Sequence, residues 1–148
     1  MKDLFNGITI STAVYDEVVV EGKNRAGSRE VEQACGDWIK VLPVENKAGV
    51  DILLAVLDRG EAETIVLAQE LNFELVLLDN REARIFAKRI GLNILGTVGV
   101  LQLAWEKGLI KDPVKKLESL RNKGFWLSYQ LIYEVRKRVS ENPKSKKR

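Results

Sequence analysis

Histidine is missing from all 148 positions, and cysteine occurs once, at Cys35. Without histidine there is no Ser-His-Asp triad and no imidazole to serve as a general base near neutral pH. A lone thiol cannot close an internal disulfide, and by itself it cannot build a zinc site. Any metal must therefore be held by oxygen, which means carboxylates and a hard cation such as magnesium or manganese. Proline is limited to three residues. No apolar run approaches the roughly 20 residues that a membrane span needs. The opening Met1-Lys2-Asp3-Leu4-Phe5-Asn6-Gly7 has no stretch long enough for a signal-peptide core. The expectation is a cytoplasmic protein with no membrane partner.

What is present is ordinary in bulk and uneven in order. A chain with 45% hydrophobic and 30% charged residues suits one globular domain at this length. Residues 1–140 are expected to form it, and residues 141–148 to be a basic, disordered tail. The first 110 residues carry 12 basic and 17 acidic groups, whereas Lys111 to Val139 carries eight basic and three acidic. An acidic front and a basic back fit a protein that holds a cation at one place and a polyanion at another. Solvation of exposed helix faces explains any single charge run equally well.

Along the chain, short apolar runs alternate with helical patterns. Ile8-Thr9-Ile10 reads as a strand, and Ser11-Thr12 as a cap for a helix through Ala13 to Val19. Gly22 to Gly27 is a polar loop, after which Ser28 is expected to cap a helix through Val31 and Ala34. Trp38 to Val44 reads as a strand whose Pro43 argues for an edge or a strand end. Gly60 to Leu71 places Ile65, Ala68 and Leu71 on one helical stripe. Phe73 to Leu78 is almost continuously apolar, the pattern of a strand buried on both faces, and is expected at or near the centre of the sheet. A helix over Arg81 to Ile90 stops at Gly91 and leads to a strand at Leu92 to Leu95. Helices beginning at Thr97, at Asp112-Pro113 and near Ser128 complete the reading. This rhythm predicts an α/β fold with a mostly parallel sheet covered by helices on both faces. Ligands of such sheets bind beyond the carboxyl ends of the strands, which nominates Asp79.

Four stretches carry a family resemblance. Leu57-Asp58-Arg59-Gly60-Glu61-Ala62-Glu63-Thr64-Ile65-Val66-Leu67-Ala68 resembles the "LDxGExExIxLA" signature of small prokaryotic PIN-domain proteins. Leu77-Leu78-Asp79-Asn80 with Arg81 to Arg84 resembles their "LLDDxxAR", and Gly96-Thr97-Val98-Gly99-Val100-Leu101 their "GTxGxL". Ile10-Ser11-Thr12-Ala13-Val14-Tyr15-Asp16-Glu17-Val18 resembles their "IPxAVYxEV" helix. The match runs from about Lys2 to Val139, in order and at natural spacings.

The resemblance implies a three-layer α/β/α sandwich whose acidic residues gather at the strand ends and hold magnesium or manganese for RNA phosphodiester cleavage. A carboxylate-held metal activates water and offsets charge on the scissile phosphate with no need of histidine. Many such proteins are the toxin half of a toxin–antitoxin pair, which implies RNA and an antitoxin protein as partners. Carried over by position, the family's second acid falls on Glu17, its third on Glu63, and its fourth on Asp79 or Asn80. These make Glu17, Glu63 and Asp79 the expected catalytic residues, and the same three with Asn80 the expected metal ligands. Thr97 is placed to orient a water or a ligand by its hydroxyl.

The family's opening strand, with its "DTS" or "NSS" element and leading aspartate, has no match in Met1 to Gly7. The expectation is a sheet one strand short, weakened ribonuclease activity, and a homo-oligomer that covers the exposed gap. A degenerate module that binds RNA or protein without cutting is the alternative. Each candidate also has a plainer role. Glu17 fits a solvated helix face, Glu61 and Glu63 suit the first turn of a helix dipole, and Asp79-Asn80 suits a helix cap. Trp38, Trp105 and Trp126 suit packing more than base stacking.

Overall fold

The computed structural model describes residues 1–125 and 127–141. Trp126 and the tail from residue 142 onward, assigned above to packing and to a disordered segment, lie outside the described residues. The chain forms two compact units, Met1–Gly96 and the part from Thr97 onward.

The first unit carries strands β1 (Ile8–Ser11), β2 (Ile39–Leu42), β3 (Leu75–Leu77) and β4 (Asn93–Leu95). Its helices are α1 (Lys2–Phe5), α2 (Thr12–Tyr15), α3 (Ser28–Ala34), α4 (Lys47–Leu53), α5 (Arg59–Glu70) and α6 (Arg81–Arg89). A π-helical segment, Asp16–Glu21, follows α2 directly. The class is α/β and the strand pairs are parallel, as the alternating rhythm implies. β1 pairs with β2 from Ile8 opposite Ile39 to Ser11 opposite Leu42, and β3 with β4 from Leu75 opposite Asn93 to Leu77 opposite Leu95.

Those two pairs are separate sheets among the described residues, and this corrects the expectation for Phe73 to Leu78. The strand is shorter, Leu75–Leu77, and it lies at an edge. Val76 and Leu78 are buried, but Phe73 and Leu75 are 42% and 44% exposed. An apolar run reports that a strand wants burial on both faces; it does not supply the neighbouring strand that would complete it.

Helix α5 is the centre of the first unit. Ala62, Ile65, Val66, Leu67 and Ala68 are buried in one apolar cluster with Val44, Leu57, Val76, Leu78 and Ala83. The predicted stripe holds at Ile65 and Ala68, while Leu71 caps the helix end and is exposed. Asp58 caps the start, its carboxylate accepting the Glu61 N–H at 2.8 Å. Asn80 likewise caps α6, accepting N–H bonds from Glu82 at 2.8 Å and Ala83 at 3.1 Å. Ser11 caps α2 as its position suggests, but Ser28 does not cap α3: it is the first helical residue, preceded by Gly27 at φ 95°. A left-handed turn there needs glycine, so the cap position moves back by one. Helices α1 and α4 are additions to the sequence reading. The start of α4 is held from outside, because the Glu70 carboxylate on α5 accepts the N–H groups of Glu45 and Asn46.

The second unit contains α7 (Thr97–Glu106), α8 (Pro113–Asn122) and α9 (Tyr129–Glu141). Asp112 caps α8 with Pro113 at its first position, as expected. Leu117, Leu127, Ile132 and Val135 form its core. Tyr129 and Tyr133, one turn apart on α9, are 75% and 66% exposed, and the Arg121 guanidinium lies 3.4 Å from the centre of the Tyr129 ring.

Candidate functional site

Two of the expected site carboxylates meet at the start of α5. Glu17 projects from the π-helical segment, and one of its oxygens accepts the Gly60 N–H at 3.2 Å. Gly60 is in the first turn of α5, where N–H groups have no partner within the helix. Glu63, one turn further on, is buried at 5% exposure, and its Oε2 accepts the Ala13 N–H in the first turn of α2 at 3.1 Å. The two helix starts are therefore clamped reciprocally: the segment after α2 caps α5, and α5 caps α2. Each carboxylate also sits at the positive end of a helix dipole. In each case the bond engages one carboxylate oxygen.

Close approach at this point depends on Gly60. A Cβ on that residue would stand 2.7 and 2.8 Å from the two Glu17 oxygens. The glycine in the Leu57-Asp58-Arg59-Gly60-Glu61 motif is thus the space into which the Glu17 carboxylate fits.

Negative charge is crowded here. Burial pushes the Glu17 carboxyl up from its ordinary value, and Asp58 adds to the shift, with smaller contributions from Glu21 and Glu63. The Gly60 N–H opposes them. Glu61 is raised in the same way, by burial and then by Asp58, against the Asp58 backbone N–H that returns the cap. Asp58 was the residue missed by sequence reasoning, although it stood inside the quoted motif; its position as helix cap was the available signal. Arg59, 65% exposed, lies 3.9 Å from Glu63 Oε1.

Asp79 lies elsewhere in the first unit, just past β3. It lines a shallow pocket with Arg81, Arg84, Ile85 and Lys88, and its Oδ1 would stand 2.9 Å from a Cβ on Gly96. Asn80 spends its side-chain oxygen on the α6 cap. Thr97 opens α7 of the second unit. Among the described residues, no three Asp, Glu or Cys side chains converge closely enough to hold a metal ion. The Glu17–Glu63 pair fits a hydrated hard cation better than a caged one, because magnesium is commonly held by one or two carboxylates with water filling the remaining positions.

No helix among the described residues is long and apolar enough to cross a membrane. No curated protein and no solved structure matches the chain. The family model that matches is DUF3368, a PIN domain, and it matches residues 1–141. The parallel α/β pairs, the acidic start of α5 and this nearly complete match agree: the chain belongs to the PIN-domain family, with its nuclease-like fold.

Proposed function

We propose that this protein is a metal-dependent ribonuclease of low activity, acting on cytoplasmic RNA with magnesium or manganese held first by Glu17 and Glu63. The observation that carries this reading is the convergence of Glu17 and Glu63 on the start of α5 by their bonds to Gly60 and Ala13, where partial desolvation and then Asp58 hold the carboxyl of the otherwise exposed Glu17 up. A cation placed against these groups relieves the repulsion that raises it. The ion would supply an activated water and charge compensation on the phosphate. Glu17 and Glu63 would bind and orient it, while Asp79 is proposed as the third acid, engaged when RNA and metal are both present. Low activity follows because no third acid converges with this pair among the described residues, and a reacting group misplaced by about 1 Å costs on the order of 10²-fold in rate. Exposed Tyr133, with Tyr129 and the Arg121 stacked on it, offers stacking surface and charge for single-stranded RNA. The setting implied is the toxin of a toxin–antitoxin pair, checked by whether a small protein encoded beside this one co-purifies with it and blocks cleavage.

The test is manganese-dependent cleavage of a mixed RNA pool by the full chain, compared with Glu63→Gln and Asp79→Asn. Cleavage that disappears with chelator and falls in both variants supports the assignment. Robust cleavage unchanged in both would place the chemistry elsewhere. A second reading, a module that binds RNA without cutting, is favoured by the lack of three converging acids among the described residues. RNA binding that persists in chelator, with no cleavage at millimolar manganese, would establish it instead.

A further inference from the structure

Positive charge in the first unit is gathered on one helix. Residues 1–96 carry 11 basic and 16 acidic groups, yet α6 alone holds four of those basic groups and a single acid. Spacings of three and four residues put Arg81, Arg84 and Lys88 on one face of that helix, with Ile85 among them. These four side chains and Asp79 line the shallow pocket just past β3. None of the ion pairs among the described residues engages any of the three cations. Like charges at such spacings destabilise a helix, and an anion set between them reverses the sign.

Arg84 is the half-buried member of the three. Its Nη1 and the Asp79 Oδ1 lie 3.5 and 2.9 Å from where a Cβ on Gly96 would stand, so the bare backbone of Gly96 admits both side chains. The pocket measures about 240 Å³. A water molecule takes about 30 Å³ of liquid, so the space suits about eight groups of that size. A phosphate with the first carbons attached to it fits; a run of polymer backbone does not. Three cations less one carboxylate give the lining a formal charge of +2. A phosphate monoester, whose second pKa is about 6, is close to a dianion in neutral solution, whereas an internal phosphodiester carries one charge. Ile85, 42% exposed, offers the carbon portion an apolar contact that an inorganic ion has no use for.

We propose that this pocket binds an organic phosphate monoester, the group found on a nucleotide or at the end of an RNA strand, with Arg84 as the central contact and Arg81 and Lys88 flanking it. Asp79 is the one residue shared with the nuclease reading. The cations of α6 have no part in that reading, so either can fail and leave the other standing.

The test titrates the full chain, in metal-free buffer near pH 8 where the monoester is a dianion. The ligands are uridine monophosphate, uridine, two uridines joined by one phosphodiester with hydroxyl ends, and inorganic phosphate. Calorimetry gives the affinity, and NMR shifts of the Ile85 methyls and the Gly96 amide report the place. The expected result is saturable binding of the monophosphate that moves those signals, about tenfold or more tighter than the diester or inorganic phosphate, with uridine not binding. Arg84→Gln should weaken the monophosphate about tenfold by removing a charge-assisted contact. Lys88→Gln, at an exposed position that puts no folding at risk, should weaken it roughly threefold. Arg29→Gln, which removes an exposed cation on α3, should leave the affinity unchanged. The proposal is overturned by no saturation at millimolar monophosphate, by equal binding of any of the other three ligands, by unaltered affinity in both α6 variants, or by shifts confined to other residues.

Discussion

Removing the Glu63 carboxylate should unfasten α2 as well as the acidic site. Glu63 is 5% exposed and its Oε2 is the acceptor for the Ala13 N–H. In Glu63→Ala that N–H loses a charge-assisted bond of about 1.5–3 kcal/mol and is left without its acceptor. A small void adds to the cost, for a total of about 2–4 kcal/mol. Glu63→Gln keeps an acceptor oxygen in place and loses only the charge. Its pairing with exposed Arg59 at 3.9 Å is worth little, and relief of the repulsion with Glu17 offsets part of the remainder, so the net is about 0–1 kcal/mol. One kcal/mol moves Tm by about 4–8 °C in a domain of 60–100 residues, close to the size of the first unit. Urea and thermal melts at pH 7, followed by circular dichroism, should therefore separate the variants by at least about 4 °C. Equal melting of Glu63→Ala and Glu63→Gln would refute the clamp. The difference also decides which variant reports on catalysis, since activity lost in Glu63→Ala mixes chemistry with a loosened α2.

Gly60→Ala should lower stability by up to about 2 kcal/mol, because the lost Glu17 bond to the Gly60 N–H outweighs a helix gain of about 0.8–1 kcal/mol, and should weaken manganese binding in titration calorimetry by pushing Glu17 aside. Unchanged affinity would detach Glu17 from the cation. Glu17 and Glu61 both have raised carboxyl values, so the native state binds more protons than the unfolded chain above pH 4.5. Their contribution to stability accordingly falls as pH rises from there through the raised values, and stays unfavourable at neutral pH. Glu61→Gln, which can still return the cap, should therefore raise Tm slightly at pH 7 and have less effect near pH 4; after solvent screening the gain is about a few tenths of a kcal/mol. A lower Tm at pH 7 would contradict this sign. Asn80→Ala should cost about 1 kcal/mol through loss of two cap bonds, whereas Asn80→Asp should hold stability, because it keeps the cap and adds a charge the helix dipole favours. Equal destabilisation of both in urea melts would remove Asn80 from the cap.

Much of the local structure was legible because it rests on interactions between near neighbours in the chain. Ser11, Asp112 and Asn80 hold their helix starts through bonds spanning two or three residues, and Gly91 and Gly108 carry the left-handed turns that end helices. The acidic start of α5 was visible in the same way, within one motif. Helix α4 was missed although its cap is also local, the Asn46 side chain accepting the Gly49 N–H at 2.9 Å; the Glu70 carboxylate, 24 residues beyond Asn46, adds a long-range hold.

The sequence by itself determined the α/β class, the exclusion of histidine and disulfide chemistry, and the candidacy of Glu17, Glu63 and Asp79, because these follow from residue type, period and motif. Only the tertiary structure decided which acids stand together. Glu17 and Gly60 are 43 positions apart, and Ala13 and Glu63 are 50. The packing of α2 against α5 makes them partners and leaves Asp79 beside Gly96. It also decided that Leu75 should be exposed, because burial of a strand depends on the strand beside it. That neighbour is a long-range contact, and the apolar run from Phe73 to Leu78 carries no information about whether it is there.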